Sequence, residues 1–229
     1  MPFQLTGVRL VSAIAVLLVI AGNRFAQSAS NDNPTLRPFE RDRRWGFARS
    51  DGTVAIAPKY VAVKPFHGGY ALVMTRGTWS PLGDEYGAFR LAQVTWIDEH
   101  GAQIRSPLSV RSAGSFSDGL AAVLPDTALR LHSGCAKGGY IGTNGRWAIK
   151  PAFDEVTGFS EGLAAVNIGA NCGMGGSWGY IDKQGKTVIP FKFVSASPFK
   201  GGHACVFTNR NEEAVIDREG NVRSGEKCK

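Results

Sequence analysis

Apolar and polar positions alternate over short stretches throughout the second half of the chain. In Trp178-Gly-Tyr-Ile-Asp182 a period of two puts Trp178, Tyr180 and Asp182 on one face and Gly179 with Ile181 on the other. That pattern predicts a short strand whose backbone approaches a neighbour closely where Gly179 lacks a side chain. Asp182-Lys-Gln-Gly185 then predicts a tight hairpin turn, the carboxylate accepting from backbone N–H groups and the glycine taking φ > 0. A second strand, Thr187-Val-Ile189, is stopped by Pro190, and the small-apolar run from Gly202 to Val206 predicts a third.

These landmarks recur. Segments starting at Phe47, Trp96, Tyr140 and Tyr180 each carry a glycine five residues on (Gly52, Gly101, Gly145, Gly185) and a proline about ten residues on (Pro58, Pro107, Pro151, Pro190). Each then reaches a phenylalanine (Phe66, Phe116, Phe159, Phe199) that leads into a run ending at Val73, Val123, Val166 or Val206. A truncated copy spans Val215 to Gly220. One unit of three short strands would leave an apolar face in water, so neighbours must stack. The expected fold is all-β: about four and a half three-stranded antiparallel units in an open curved stack, with a closed propeller-like ring as the alternative. The units run 45–73, 94–123, 138–166 and 178–206, with a partial copy at 213–223, inside one domain of residues 45–229.

Trp45-Gly46-Phe47 and Trp178-Gly179-Tyr180-Ile181-Asp182 at the openings, with Phe116-Ser-Asp-Gly-Leu-Ala-Ala-Val123 and Phe159-Ser-Glu-Gly-Leu-Ala-Ala-Val166 at the closings, resemble the WG-repeat family of bacterial proteins. The resemblance covers about residues 45 to 223. Val94-Thr95 and Gly138-Gly139 replace the Trp-Gly pair in the second and third units, and residues 103–113 match poorly. The resemblance implies a β-repeat fold in an extracytoplasmic or surface-associated protein and little about activity.

The N-terminus has a different pattern. Arg9 precedes an apolar or small stretch from Leu10 to Gly22, followed by small residues at Ala26, Ser28, Ala29 and Ser30. This order predicts a secretory signal over residues 1–28, cut after Ser28 or Ser30, and a linker over 29–44. The apolar stretch is shorter than the roughly 20 residues a membrane helix needs, which makes an uncleaved anchor the lesser alternative and leaves no stable span after cleavage. The expected location is the periplasm or the medium. Cleavage would leave 24 basic against 19 acidic residues, a net charge of +5. The basic residues are scattered except for Arg41, Arg43 and Arg44, so nucleic acid is not an expected partner.

Export permits disulfides. Cys135 and Cys172 precede the leading aromatics of neighbouring units, and Cys205 lies where Cys228 could fold back, so the register favours Cys135–Cys172 and Cys205–Cys228 among three connectivities. No Cys-x-x-Cys knuckle is present, and neither a metal nor another cofactor is expected. His67, His100, His132 and His203 occupy different offsets, while the recurring Asp98, Asp182 and Asp217 suit turn capping better than acid–base chemistry. The chain therefore reads as a non-enzymatic binding module for an unidentified protein or envelope polymer. A hydrolase built around His132 and a structural part of an assembly are the rivals. Loops at 74–94, 124–138, 167–177 and 207–212 should emerge on one edge, and Arg76, Trp79, Tyr86, Phe89, Arg130 and His132 are its candidate ligand-binding residues. The plainer reading makes these aromatics the cover of a longer hairpin's exposed edge.

Overall fold

The computed structural model describes residues 36–79, 89–104, 110–125, 136–171, 174–209 and 212–228. These residues form strands, turns and bends with no helix, so none among them is long and apolar enough to cross a membrane. The proposed signal lies outside the described residues. Five small antiparallel sheets follow one another along the chain, and none closes into a barrel. Sheet one contains β1 (Leu36–Arg41), β2 (Arg44–Arg49) and β3 (Val54–Tyr60). Sheet two contains β4 (Ala62–Val63), β5 (Tyr70–Trp79), β6 (Phe89–Asp98) and β7 (Gln103–Ile104). Sheet three contains β8 (Val110–Ala113), β9 (Leu120–Pro125), β10 (Gly138–Gly142) and β11 (Trp147–Phe153). Sheet four contains β12 (Glu155–Val156), β13 (Ala164–Asn171), β14 (Met174–Ile181) and β15 (Thr187–Phe193). Sheet five contains β16 (Ser195–Ala196), β17 (Ala204–Asn209) and β18 (Glu212–Ile216).

The sheets are out of phase with the sequence repeat. The third strand of one unit pairs with the opening strand of the next, as in Val166↔Gly179 and Ala122↔Tyr140, and a two-residue strand closes the inner edge of sheets two, four and five. Each unit therefore straddles two sheets. Within residues 29–44, β1 takes the third-strand place beside β2, and Asp42 and Arg43, both at positive φ, turn the chain between Arg41 and Arg44.

Phasing explains the small-apolar runs. Ala71 and Val73 of β5 pack with Phe47, Ile56 and Tyr60 of sheet one, while Leu72 and Met74 pack with Ala113, Phe116 and Ala121 of sheet three. Both faces are covered, so the run carries no polar alternation. The same division holds at Leu120 and Ala122, and again at Leu163 and Ala165.

The leading aromatic joins each sheet to the following one. Tyr140 Oη donates to Thr157 O (2.8 Å), Tyr180 Oη to Ser197 O (2.8 Å) and Trp96 Nε1 to Gly114 O (2.9 Å). Each acceptor lies two residues before the closing Phe, whose ring meets the same aromatic edge-on: Tyr140–Phe159 4.8 Å, Tyr180–Phe199 4.9 Å and Trp96–Phe116 5.5 Å. An aromatic with one polar tip fills the junction and satisfies its buried carbonyl. Phe47 meets Phe66 at 4.8 Å without a donor. Burial pushes the Tyr180 phenol above its ordinary range.

Before Phe47, Tyr140 and Tyr180 the preceding glycine is sterically required. A Cβ on Gly179 would lie 2.7 Å from Ile189 O, and one on Gly46 2.4 Å from Ile56 O, where the pairing register shifts. The hairpin turns close as their residues dictate: Asp182 Oδ1 accepts from Gln184 N and Lys186 N, and Asp217 Oδ1 from Glu219 N and Asn221 N. Gly185 and Gly220, at φ +82° and +83°, lie against Ile149 and Ile189 of the preceding sheet.

The turns after the closing Phe form a rail along the same end of the sheets. Asp118 Oδ2 accepts from Gly162 N (2.7 Å), and Glu161 from Gly201 N (2.5 Å) and Gly202 N (2.9 Å). His67 Nδ1 donates to Phe116 O and Ser160 Oγ to Phe199 O. At the C-terminus a disulfide joins Cys205 to Cys228 with their Cα atoms 5.6 Å apart, holding the tail beside β18. Cys135 and Cys172 lie outside the described residues.

Two outcomes follow. Tyr140→Phe and Tyr180→Phe each leave a buried carbonyl without its donor and lower stability by about 1–2 kcal/mol, measured by denaturant unfolding. Reducing Cys205–Cys228 frees a loop of this size and costs about 3 kcal/mol, read as a lower midpoint in the presence of a thiol reductant.

Candidate functional site

The β5–β6, β9–β10, β13–β14 and β17–β18 connections leave the sheets at the end opposite the rail, because every strand pair is antiparallel. Of the residues expected to line this edge, Arg76, Trp79 and Phe89 share one hairpin. Arg76 is exposed and opposite Gln93, and Trp79 pairs in register with Phe89 at the hairpin's outer end. Tyr86, Arg130 and His132 lie outside the described residues. His67 and His203 belong to the turn rail, and His100 N caps onto Asp98 Oδ1, so these three do not converge with one another.

The more telling feature at this end is a polar cluster in sheet four. After Val73, Val123 and Val206 come Met74, Leu124 and Phe207; after Val166 comes Asn167, only 1 % exposed. Glu155 stands where other units have Ala62, Ser112 and Ser195, and Asp154 where two have Val61 and Val194. Asn167 Nδ2 donates to Glu155 Oε1 (3.0 Å) and to Gly175 O (3.1 Å). Its Oδ1 is buried without a hydrogen-bond partner. Gly176, at φ +80°, leaves the room this amide needs, since a Cβ there would lie 2.2 Å from Oδ1. The Asp154 side chain is 3 % exposed; Oδ1 meets Lys137 Nζ at 2.5 Å and Oδ2 accepts from Ala170 N at 3.2 Å.

The electrostatics are unbalanced. Burial raises the Glu155 carboxyl above its ordinary range; the Asn167 bond opposes this and the neighbouring Asp154 charge adds to it. Lys137 neutralises Asp154 and leaves Glu155 without a cation among the described residues. Departures from a repeat's own pattern that cost stability are expected where a protein binds something. Comparing the four copies position by position would have found this cluster, whereas a search for shared landmarks passes over it. At the other end of the domain Cys205, Glu213 and Cys228 offer ligand atoms within 4.8 Å of one another, but the disulfide occupies both sulfurs.

The family comparison agrees with the repeat architecture. The family model described as "WG containing repeat" matches residues 45–79, 139–172 and 178–211. No curated protein matches the sequence. Among solved structures, a crystal structure of the eukaryotic initiation factor is similar with a TM-score of 0.48 and 13 % identity, covering 85 % of this chain and 53 % of its own. The chain thus spans about half the length of that structure.

Because the folded Glu155 carboxyl titrates above its unfolded value, its favourable contribution is present at acid pH and lost as pH rises through the folded value. Glu155→Gln, which keeps an acceptor for Asn167, should therefore melt higher than the parent at neutral pH. The difference should vanish in acid below the ordinary carboxylate range, as followed by thermal unfolding at both pH values.

Proposed function

From the premise that this chain is built of WG-containing repeats, we propose that it is an exported binding module that takes a protein or envelope polymer at its loop end. The observation that carries this reading is the sheet-four cluster, where Asn167 replaces the apolar residue of the other copies and buries beside Glu155 and Asp154, next to the variable connections. The rail end supports it by contrast: its carboxylates and turn N–H groups bond one another and are committed to holding the stack. Arg76 on the long hairpin of sheet two adds an exposed cation to the same edge. This role is non-enzymatic. The Cys205–Cys228 disulfide favours an oxidising compartment and agrees with export.

Immobilised mature chain incubated with envelope extract should enrich a specific protein or glycan. Glu155→Lys and Arg76→Glu should each reduce the enrichment, while Glu219→Gln at the rail end should leave it unchanged. Enrichment insensitive to both loop-end changes would refute the site, and no enrichment at all would refute the binding role. Export has its own measurement: intact mass of the secreted chain should place the new N-terminus at Ala29 or Asn31, and a full-length product held in the cytoplasm would contradict it.

A further inference from the structure

Sheet one is the first of the stack, and its outer face departs from the repeat. In the third-strand place Arg37 pairs with Ala48, as Ala71, Ala121, Ala164 and Ala204 pair with Ile97, Ile141, Ile181 and Ile216 in the other sheets. Two residues on, Phe39 pairs with Gly46 where those sheets place Val73, Val123, Val166 and Val206. Those alanines and valines are buried against the preceding sheet. Residues directly opposite one another in an antiparallel pair share a face, so Arg37, Phe39, Arg41, Arg44 and Ala48 lie together on the outer side, while Leu36 and Phe47 turn inward to sheet two. The three arginines are exposed and Phe39 is half-buried, with the Arg41 guanidinium 5.7 Å from its ring centre.

We propose that this face docks the protein on an anionic phospholipid bilayer, the guanidinium groups taking headgroup phosphates and the Phe39 ring resting between them at the interface. Charge of a single sign carries the argument. Glu40 pairs with Trp45 on the inward side, Asp42 lies in the turn, and no ion pair joins these arginines to a carboxylate among the described residues. Arg41 stands directly opposite Arg44, a like-charge pair that costs stability until an anion lies between its members. Arg43, in the turn joining them, holds φ at 58°, which glycine or asparagine takes more readily, so the hairpin tip keeps a cation where the backbone does not favour one. A terminal cap that served solubility alone would mix its signs. Sheet five and its tail do so: Glu213, Arg223, Glu226 and Lys227 are exposed there, with Arg223 paired to Glu226. Guanidinium groups bind phosphate through two parallel N–H donors. Arg37 and Arg41 stand about 13 Å apart at the usual strand rise, so together they meet several phosphates of a planar surface, whereas a small anion would reach one arginine or the Arg41 and Arg44 pair.

The test follows the full chain by flotation with vesicles of phosphatidylcholine alone and of equal parts phosphatidylcholine and phosphatidylglycerol, which separates the anionic increment from any attraction of the apolar Leu10 to Gly22 stretch. The increment should be large at low ionic strength and fall steeply with added salt. One cation near an anionic surface contributes about fivefold in partition, so Arg37→Gln, Arg41→Gln and Arg44→Gln combined should lower it about a hundredfold. The same loss of charge elsewhere, Lys150→Gln, Lys186→Gln and Lys227→Gln combined, should leave most of it, as should lysine at the three face positions. A thermal midpoint no lower than the parent's confirms that each variant folds. No anionic increment, or equal losses in the two glutamine triples, would overturn the proposal. Capture by inorganic polyphosphate without binding to the vesicles would overturn it in favour of a soluble polyanion.

Discussion

A strand that is apolar on both sides needs a cover on both sides. In the runs Ala71–Met74, Leu120–Val123 and Leu163–Val166 the side chains alternate between the preceding and the following sheet, and neither set meets water. Burial of this kind is proportional to the apolar area removed from water, so no single sheet carries enough of it to stand alone. Order along the chain follows, because each core cluster draws on two sheets adjacent in sequence. The ends are handled locally. β1 supplies the missing third strand to sheet one, and the disulfide ties the C-terminal tail to sheet five.

Much of this was legible from residue types alone. Leading aromatic, turn glycine, closing Phe and small-apolar run each gave an element of the right kind, and Gly179 sits where a Cβ would strike Ile189 O. The phase of the sheets was not legible. A repeated register looks the same whether the third strand pairs inside its own unit or with the next one, and hydrophobic periodicity does not separate these choices. β1 escaped notice for a related reason: Leu36–Arg41 carries one strongly buried residue and no landmark glycine, and its order comes from pairing with β2. At the site, Arg76 was visible as an exposed cation in a long connection. Asn167 was not, because its meaning lies in its difference from Met74, Leu124 and Phe207 at the same offset.

The two ends of the stack divide their tasks. At the rail end, charge is spent on neighbours: Asp118 and Glu161 accept from following turns, and Lys183 and Arg218 donate back to Asp118 O and Glu161 O. At the loop end the backbone pairing runs out, and a buried amide with an unmatched oxygen sits beside a carboxylate that burial holds above its usual range. Repeat proteins place variation where it does not interrupt stacking, and a β13–β14 hairpin carrying Gly175 and Gly176 meets that condition.

The central claim is that successive sheets touch through the turn glycines and the outer-strand isoleucines. Nuclear Overhauser spectroscopy on methyl-labelled chain tests it most directly. The account predicts cross-peaks from the Ile56, Ile149 and Ile189 methyls to the α-protons of Gly101, Gly185 and Gly220 respectively. Their absence in folded chain, or contacts linking these isoleucines to sheets not adjacent in sequence, would contradict it.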